Sequence, residues 1–195
     1  MTMPAQEAAP TAAERRAARR ANQTTFNLVI ALIASLGVVA LLVAVVIRPD
    51  VTRPTIDYAA VGTTAQSSLD EPLAIPDLPE TWTANRAELV SNPADGVTRW
   101  EVGFLTPAGD YIGFVQGVDA NASWLADQVR SARSSSVETY GGLRWDVYDR
   151  RDVPDPGNVE YALVAESGAS TIVLGGTATD GEFAELATAV AASLP

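Results

Sequence analysis

The sequence predicts an α+β fold, one N-terminal transmembrane helix followed by an antiparallel sheet with two packed helices. Three observations carry that prediction. Residues 26–47 form an uncharged, apolar run of 22 residues. A stretch from Arg99 to Gln116 combines hairpin turn chemistry with side-chain alternation. The remaining order is strands, helix, strands, helix, joined by links of hairpin length.

The apolar run, FNLVIALIASLGVVALLVAVVI, contains only Asn27 and Ser35 as strongly polar members. As a helix it covers about 33 Å, enough for a hydrocarbon core of ~30 Å. Arg15, Arg16, Arg19 and Arg20 precede it, whereas Arg48 and Arg53 follow it in company with Asp50 and Asp57. That asymmetry predicts a cytoplasmic N-terminus and an extracytoplasmic C-terminal domain. A cleaved signal peptide has a shorter apolar region of ~7–15 residues and a small-x-small site, which Val43–Ile47 does not offer. The run therefore reads as an uncleaved signal anchor of a single-pass protein in the cell membrane. The lipid bilayer is its expected partner, through residues 26–47.

Composition narrows the chemistry. All 13 cations are arginine, and the chain has no histidine and no cysteine. Ser-His-Asp and Cys-His nucleophile systems, the usual zinc sites, and lysine-dependent phosphate loops are thereby excluded. Carboxylate chemistry and oxygen-liganded calcium survive. Beyond the span nine arginines face 22 acids, so that part carries 9 − 22 = −13. Such a charge repels nucleic acid and anionic headgroups. Without cysteine the exported domain must rest on its apolar core.

Taken in order, residues 1–25 form a basic cytoplasmic tail, and 48–71 an extended tether marked by Pro49, Pro54 and the Gly62–Ser68 polar run. The α+β domain is expected over 72–195, with Trp82 as an early core anchor. Arg86–Val90 reads as a short strand ended by a Ser91–Gly96 turn. In the hairpin, Pro107-Ala108-Gly109 suits a type I turn closed by a left-handed glycine. This register pairs Phe104 with Ile112, Val102 with Phe114 and Trp100 with Gln116 on an apolar face. Leu105 with Tyr111, Gly103 with Gly113, and Glu101 with Val115 share the other face. A helix capped by Asn121 presents Trp124, Leu125, Gln128, Val129 and Ala132, and ends at Ser134-Ser135-Ser136. After Gly141-Gly142 three strands follow, through Leu143–Val147, Val159–Ala165 and Ile172–Leu174. Thr179-Asp180-Gly181-Glu182 is a capping box for a last helix, whose inner face is Phe183, Leu186, Ala187, Val190 and Leu194.

The candidate interaction surface is the patch formed by Gly103, Tyr111 and Gly113, where two facing glycines leave backbone open to a ligand or partner. Close helix packing or sheet curvature also explains facing glycines and is the favoured reading of them. Asp146, Asp149, Asp152 and Asp155 recur every third residue, but interleaved arginines and two prolines read as a solvated strand end with ion pairs rather than a calcium loop. Glu160 with Glu166, and Glu101 with Asp110, are the carboxylate pairs available to a glycosidase. Trp100, Trp124 and Trp145 fit the apolar faces of their elements and read as core. No catalytic residue, cofactor or metal site is assigned.

Leu78-Pro79-x-x-Trp82, the run Trp100-x-Val102-Gly103-Phe104-x-Thr106-Pro107-x-Gly109-x-Tyr111-x-x-Phe114-x-Gln116, and Gly141-Gly142-x-x-Trp145 resemble a known group. They are similar to the actinobacterial membrane-anchored proteins grouped as domain of unknown function 4245. The basic tail, single span and closing helix share the likeness, which covers nearly the whole chain. The resemblance implies an envelope location and supplies no catalytic residues. The expected function is a binding or interaction module in the cell envelope, its partner another envelope or membrane protein. The alternative is a carboxylate-dependent hydrolase acting on envelope glycans.

Overall fold

The computed structural model describes residues 28–39, 41 and 55–195. The chain divides into two compact units, Met1–Thr52 and Arg53–Pro195. In the first, residues 28–39 and 41 are helical (α1), and their large apolar side chains are exposed. Among the described residues no helix is long and apolar enough to cross a membrane. The expected span, 26–47, extends past the described residues at both ends, and the tail 1–25 lies wholly outside them.

The second unit is an α+β domain. Helix α2 (Tyr58–Gln66) precedes strands β1 (Thr83–Val90), β2 (Arg99–Leu105) and β3 (Tyr111–Val118). Helix α3 (Ala122–Gln128) leads to β4 (Ser136–Tyr140), β5 (Leu143–Asp149), β6 (Tyr161–Ser167) and β7 (Ser170–Gly176), and α4 (Asp180–Ser193) closes the domain. All seven strands form one antiparallel sheet in the order β1-β2-β3-β7-β6-β5-β4. Two meanders thus meet at β3 and β7, and among the described residues β1 and β4 are the edge strands.

The β2–β3 register is the expected one at every pair from Leu105↔Tyr111 to Trp100↔Gln116. Thr106 N–H donates to the Asp110 carbonyl at 2.9 Å, and Gly109, at φ 89°, returns its N–H to the Thr106 carbonyl at 2.9 Å. Alternation sends Trp100, Val102, Phe104, Ile112 and Phe114 to one face, where each is fully or almost fully buried. There they meet Leu163, Ile172 and Leu174 of the second meander, α2, and the inner face of α4. Phe183, Leu186, Ala187 and Val190 of α4 are completely buried. Its capping box forms as expected, with Thr179 and Glu182 bonding reciprocally. The opposite face is covered only in part, by α3, through Trp124 and Val129 on Val164 and Val173.

Three expectations need correction. The tether reading of 48–71 fails over its second half. Asp57 caps α2 by accepting the Ala60 N–H at 2.9 Å, and Gly62 lets that helix approach Ile75 and Trp100. A Cβ at Gly62 would come within 2.8 Å of Ile75 Cδ1 and 3.3 Å of Trp100 Cζ2, so the small residue serves packing. The domain consequently begins before residue 72, and three helices pack on the sheet instead of two. Finally, Ser136 opens the edge strand β4 and does not end a helix: α3 stops at Gln128, and Gly141-Gly142 turn β4 into β5. With all but its last residue exposed, β4 lacks the alternation that would reveal it.

The segment between α2 and β1 cannot join a ladder, since prolines remove its donors. Side chains satisfy it instead. Gln66 accepts the Leu73 N–H at 2.7 Å and donates to the Leu69 and Glu71 carbonyls at 3.1 Å each. Glu71 accepts from Ala169 N–H and from the Ser170 hydroxyl, both at 3.1 Å. Gln116, fully buried, completes the set.

Candidate functional site

Gly103, Tyr111 and Gly113 come together on the partly covered face. Gly103 and Gly113 are direct cross-strand partners, and Gly113 in turn faces Gly175, which faces Ala162. This row of small residues is not bare. The Tyr111 phenol lies over it, 3.2 Å from where a Cβ would stand on either Gly103 or Gly113. Val159 lies over Gly175 in the same way, at 3.4 Å. The open backbone expected from the sequence is therefore replaced by a half-buried tyrosine folded onto its own sheet.

A β-bulge shapes the neighbouring edge. The register shifts between Ala84 and Arg86, which leaves Asn85 as the extra residue. Its Oδ1 lies 2.5 Å from the Cβ position of Gly103. Arg86 bonds Glu88 and reaches Glu101 at 2.9 Å, while Arg99 bonds Glu101 at 2.5 Å and Asp95 at 3.0 Å. Burial pushes the Tyr111 phenol above its ordinary range, and the Arg86 charge opposes that shift. Tyr111 is a neutral, aromatic surface at physiological pH, bordered by an amide and a chain of paired charges. Asn85 and Arg86 were not singled out as site residues in the sequence, and Glu101 only as half of a carboxylate pair with Asp110; the bulge that brings them to this patch leaves no local pattern in the sequence.

Strand spacing keeps the members of each carboxylate pair apart: Glu160 precedes β6 and Glu166 lies near its end, while Glu101 faces Val115, five residues beyond Asp110. Glu101 is held between two arginines, and Glu166 accepts the Thr171 hydroxyl at 3.0 Å. Between α3 and β5–β6 a cleft of about 230 Å³ is lined by Leu125, Tyr148, Val164, Asp146 and Glu166 among others. Asp146 there pairs with Arg144 at 2.9 Å. In the acidic run, Asp149 pairs with Arg151, whose other nitrogen reaches Asp180 at 2.9 Å. Arg150 donates to the Pro156 and Val159 carbonyls at 2.9 and 2.6 Å, so the arginines stitch this loop together. Among the described residues no group of three acidic side chains is placed to hold a metal. Trp100, Trp124 and Trp145 are all core residues.

Residues 20–190 match the family described as Protein of unknown function (DUF4245). The chain belongs to that family. The hairpin residues quoted above, Trp100 to Gln116, fall inside the matched segment, as do β1, both meanders and most of α4. No curated protein and no solved structure matches the chain.

Proposed function

We propose that this DUF4245 protein is a single-pass, membrane-anchored binding module whose acidic domain stands outside the cytoplasmic membrane and engages another envelope protein. The anchor reading rests on the uncharged run 26–47 and the four-to-two arginine asymmetry across it. It is supported by the exposed apolar side chains of residues 28–39 and 41, which surround that helix and do not form one stripe. The observation that carries the binding reading is the patch around Tyr111. A half-buried aromatic ring, rimmed by Asn85 and the Arg86–Glu101–Arg99 chain, has the make-up of an interface centre with a polar rim.

Crosslinking in the native membrane tests the reading. A photoreactive residue replacing Leu105, beside Tyr111, is expected to capture one envelope protein, and Tyr111→Ala to reduce that capture. The same photoreactive residue at Val137, exposed on β4 at the far edge of the sheet, is expected to capture nothing specific. Equal capture from both positions would contradict the assignment of this face.

The cleft holding Asp146 and Glu166 favours a second reading, a carboxylate-dependent hydrolase of envelope glycans. Its size, about 230 Å³, is below that of most small-molecule sites, and both carboxylates already have partners. Loss of glycan turnover in an Asp146→Asn, Glu166→Gln protein that still folds would establish this reading over the first.

A further inference from the structure

We infer that the outer edge of β1, together with the groove between β1 and α2, receives an extended, basic segment of a partner polypeptide as an eighth strand. The inference rests on the reading of the domain as a binding module and adds where and how the partner binds.

An edge strand carries a row of unpaired backbone donors and acceptors. The Thr106–Asp110 bond fixes which β2 groups point to β3, and alternation then fixes which β1 groups point outward. They belong to Ala84, Ala87 and Leu89. The first already has a partner: Ile56 N–H donates to the Ala84 carbonyl at 2.8 Å. The chain thus lays down one bond of an added strand and then turns away into α2 at the Asp57 cap. Among the described residues no backbone bond continues the row at Ala87 and Leu89.

The side chains of Ala87 and Leu89 lie on the helix-covered side of the sheet, packed against the core. Between Leu89 and the α2 residues Ala60, Val61, Thr64 and Ala65 runs an open, largely apolar groove of about 400 Å³. A strand added here would therefore turn alternate side chains into an apolar groove, the arrangement used wherever a peptide adds to a sheet edge beside a helix. Its other side chains would stand next to Arg86 and Glu88, which border the Tyr111 patch.

Charge selects the occupant. Asp57 caps α2, and Asp77 follows Pro76, whose carbonyl accepts the Tyr58 hydroxyl, so two acids stand at the start of α2. From Pro54 to Asn85 the chain carries no cation. A segment alternating apolar residues with arginine or lysine complements both the groove and this field. The bulge at Asn85 and the charged pair Arg86–Glu88 prevent the same edge from pairing with flat, uncharged strands.

The test uses the full chain in detergent and a fluorescent peptide with the repeat Arg-Val-Thr-Val-Arg-Val. Fluorescence anisotropy should show saturable binding that weakens as salt rises. Ala60→Trp, at an exposed helix position, fills the groove and should raise the Kd about tenfold or more. Val137→Trp, on the opposite edge strand, should leave it unchanged, and a peptide with proline at alternate positions should not bind. Equal binding of the proline peptide, equal loss with Val137→Trp, or no binding at about 1 mM would overturn the inference. Capture of a native partner that depends on Tyr111 but is untouched by Ala60→Trp would also overturn it, while leaving the binding-module reading in place.

Discussion

Gln116 holds Ala74 to the sheet. Its Oε1 accepts the Ala74 N–H at 2.7 Å, while its Nε2 donates to the Pro72 carbonyl at 2.7 Å and the Ser170 hydroxyl at 2.8 Å. A fully buried carboxamide on an apolar face is costly unless every group is paired, and here it serves a proline-rich segment that no ladder could satisfy.

Replacing Gln116 by leucine would strand the Ala74 N–H and the Pro72 carbonyl in a dry environment. We expect destabilisation of about 2–4 kcal/mol, read as a lower denaturant midpoint at unchanged slope. Gln66→Leu, whose site is only partly buried, should cost less. A reversed order of the two variants would contradict the role given to Gln116.

Gly109 sits at φ 89° with open space around its Cβ position, so only backbone conformation penalises a side chain there. Gly109→Val should cost about 1 kcal/mol or more, whereas Ala108→Val should change little. Equal melting temperatures would remove the turn assignment.

Gly176 and Gly181 make a sharper pair. A Cβ on Gly176 would stand 2.0 Å from the Tyr111 carbonyl oxygen, a backbone atom fixed by the ladder. Gly176→Ala should therefore destabilise by about 2–4 kcal/mol or prevent folding. Gly181, inside α4, meets nothing within 4 Å. There alanine should stabilise by roughly 0.5–1 kcal/mol. Thermal unfolding of the two variants decides the matter.

Acid should unfold the domain through groups that are depressed when folded. Arg151 holds the Asp149 carboxyl below its usual range. Burial would push Glu182 up, but hydrogen bonds from Thr106, Thr179 and the Ala108 backbone outweigh it and bring Glu182 down. A depressed folded pKa contributes stability above the unfolded value and loses it as pH falls through the folded one. Melting temperature should hold near neutrality and fall below about pH 4. In Glu182→Gln that acid-side fall should be shallower, and an identical fall would show that Glu182 contributes nothing to it.

Much of this architecture is legible in the sequence wherever local chemistry and packing agree. The β2–β3 register follows from one glycine turn and strict alternation, and the α4 start follows from the Thr179–Glu182 spacing. Helix α2 is hidden because Gly62, Thr63 and Thr64 are weak helix formers. Tertiary contact of Gly62 with Ile75 and Trp100 overrides that weakness. Strand β4 is hidden because a solvated edge has no apolar face to show. Of the candidate patch, the sequence reveals the facing glycines but not their cover. Tyr111 folds back across Gly103 and Gly113, and Asn85 of another strand also closes on Gly103, a placement that depends on a bulge with no local signature. The role of Gln116 is equally hidden, since its Ala74 partner is 42 residues away.

The membrane-anchored reading is tested most directly by topology, because the chain has no native cysteine. Single cysteines replace Ser68, exposed in the domain, and Thr25, just before the apolar run. A membrane-impermeant thiol reagent is then applied to intact cells whose outer layers admit it. Labelling of Ser68→Cys but not Thr25→Cys, with both reacting after lysis and the chain remaining full length, is the predicted result. Labelling of Thr25→Cys alone would place the acidic domain in the cytoplasm and contradict the account.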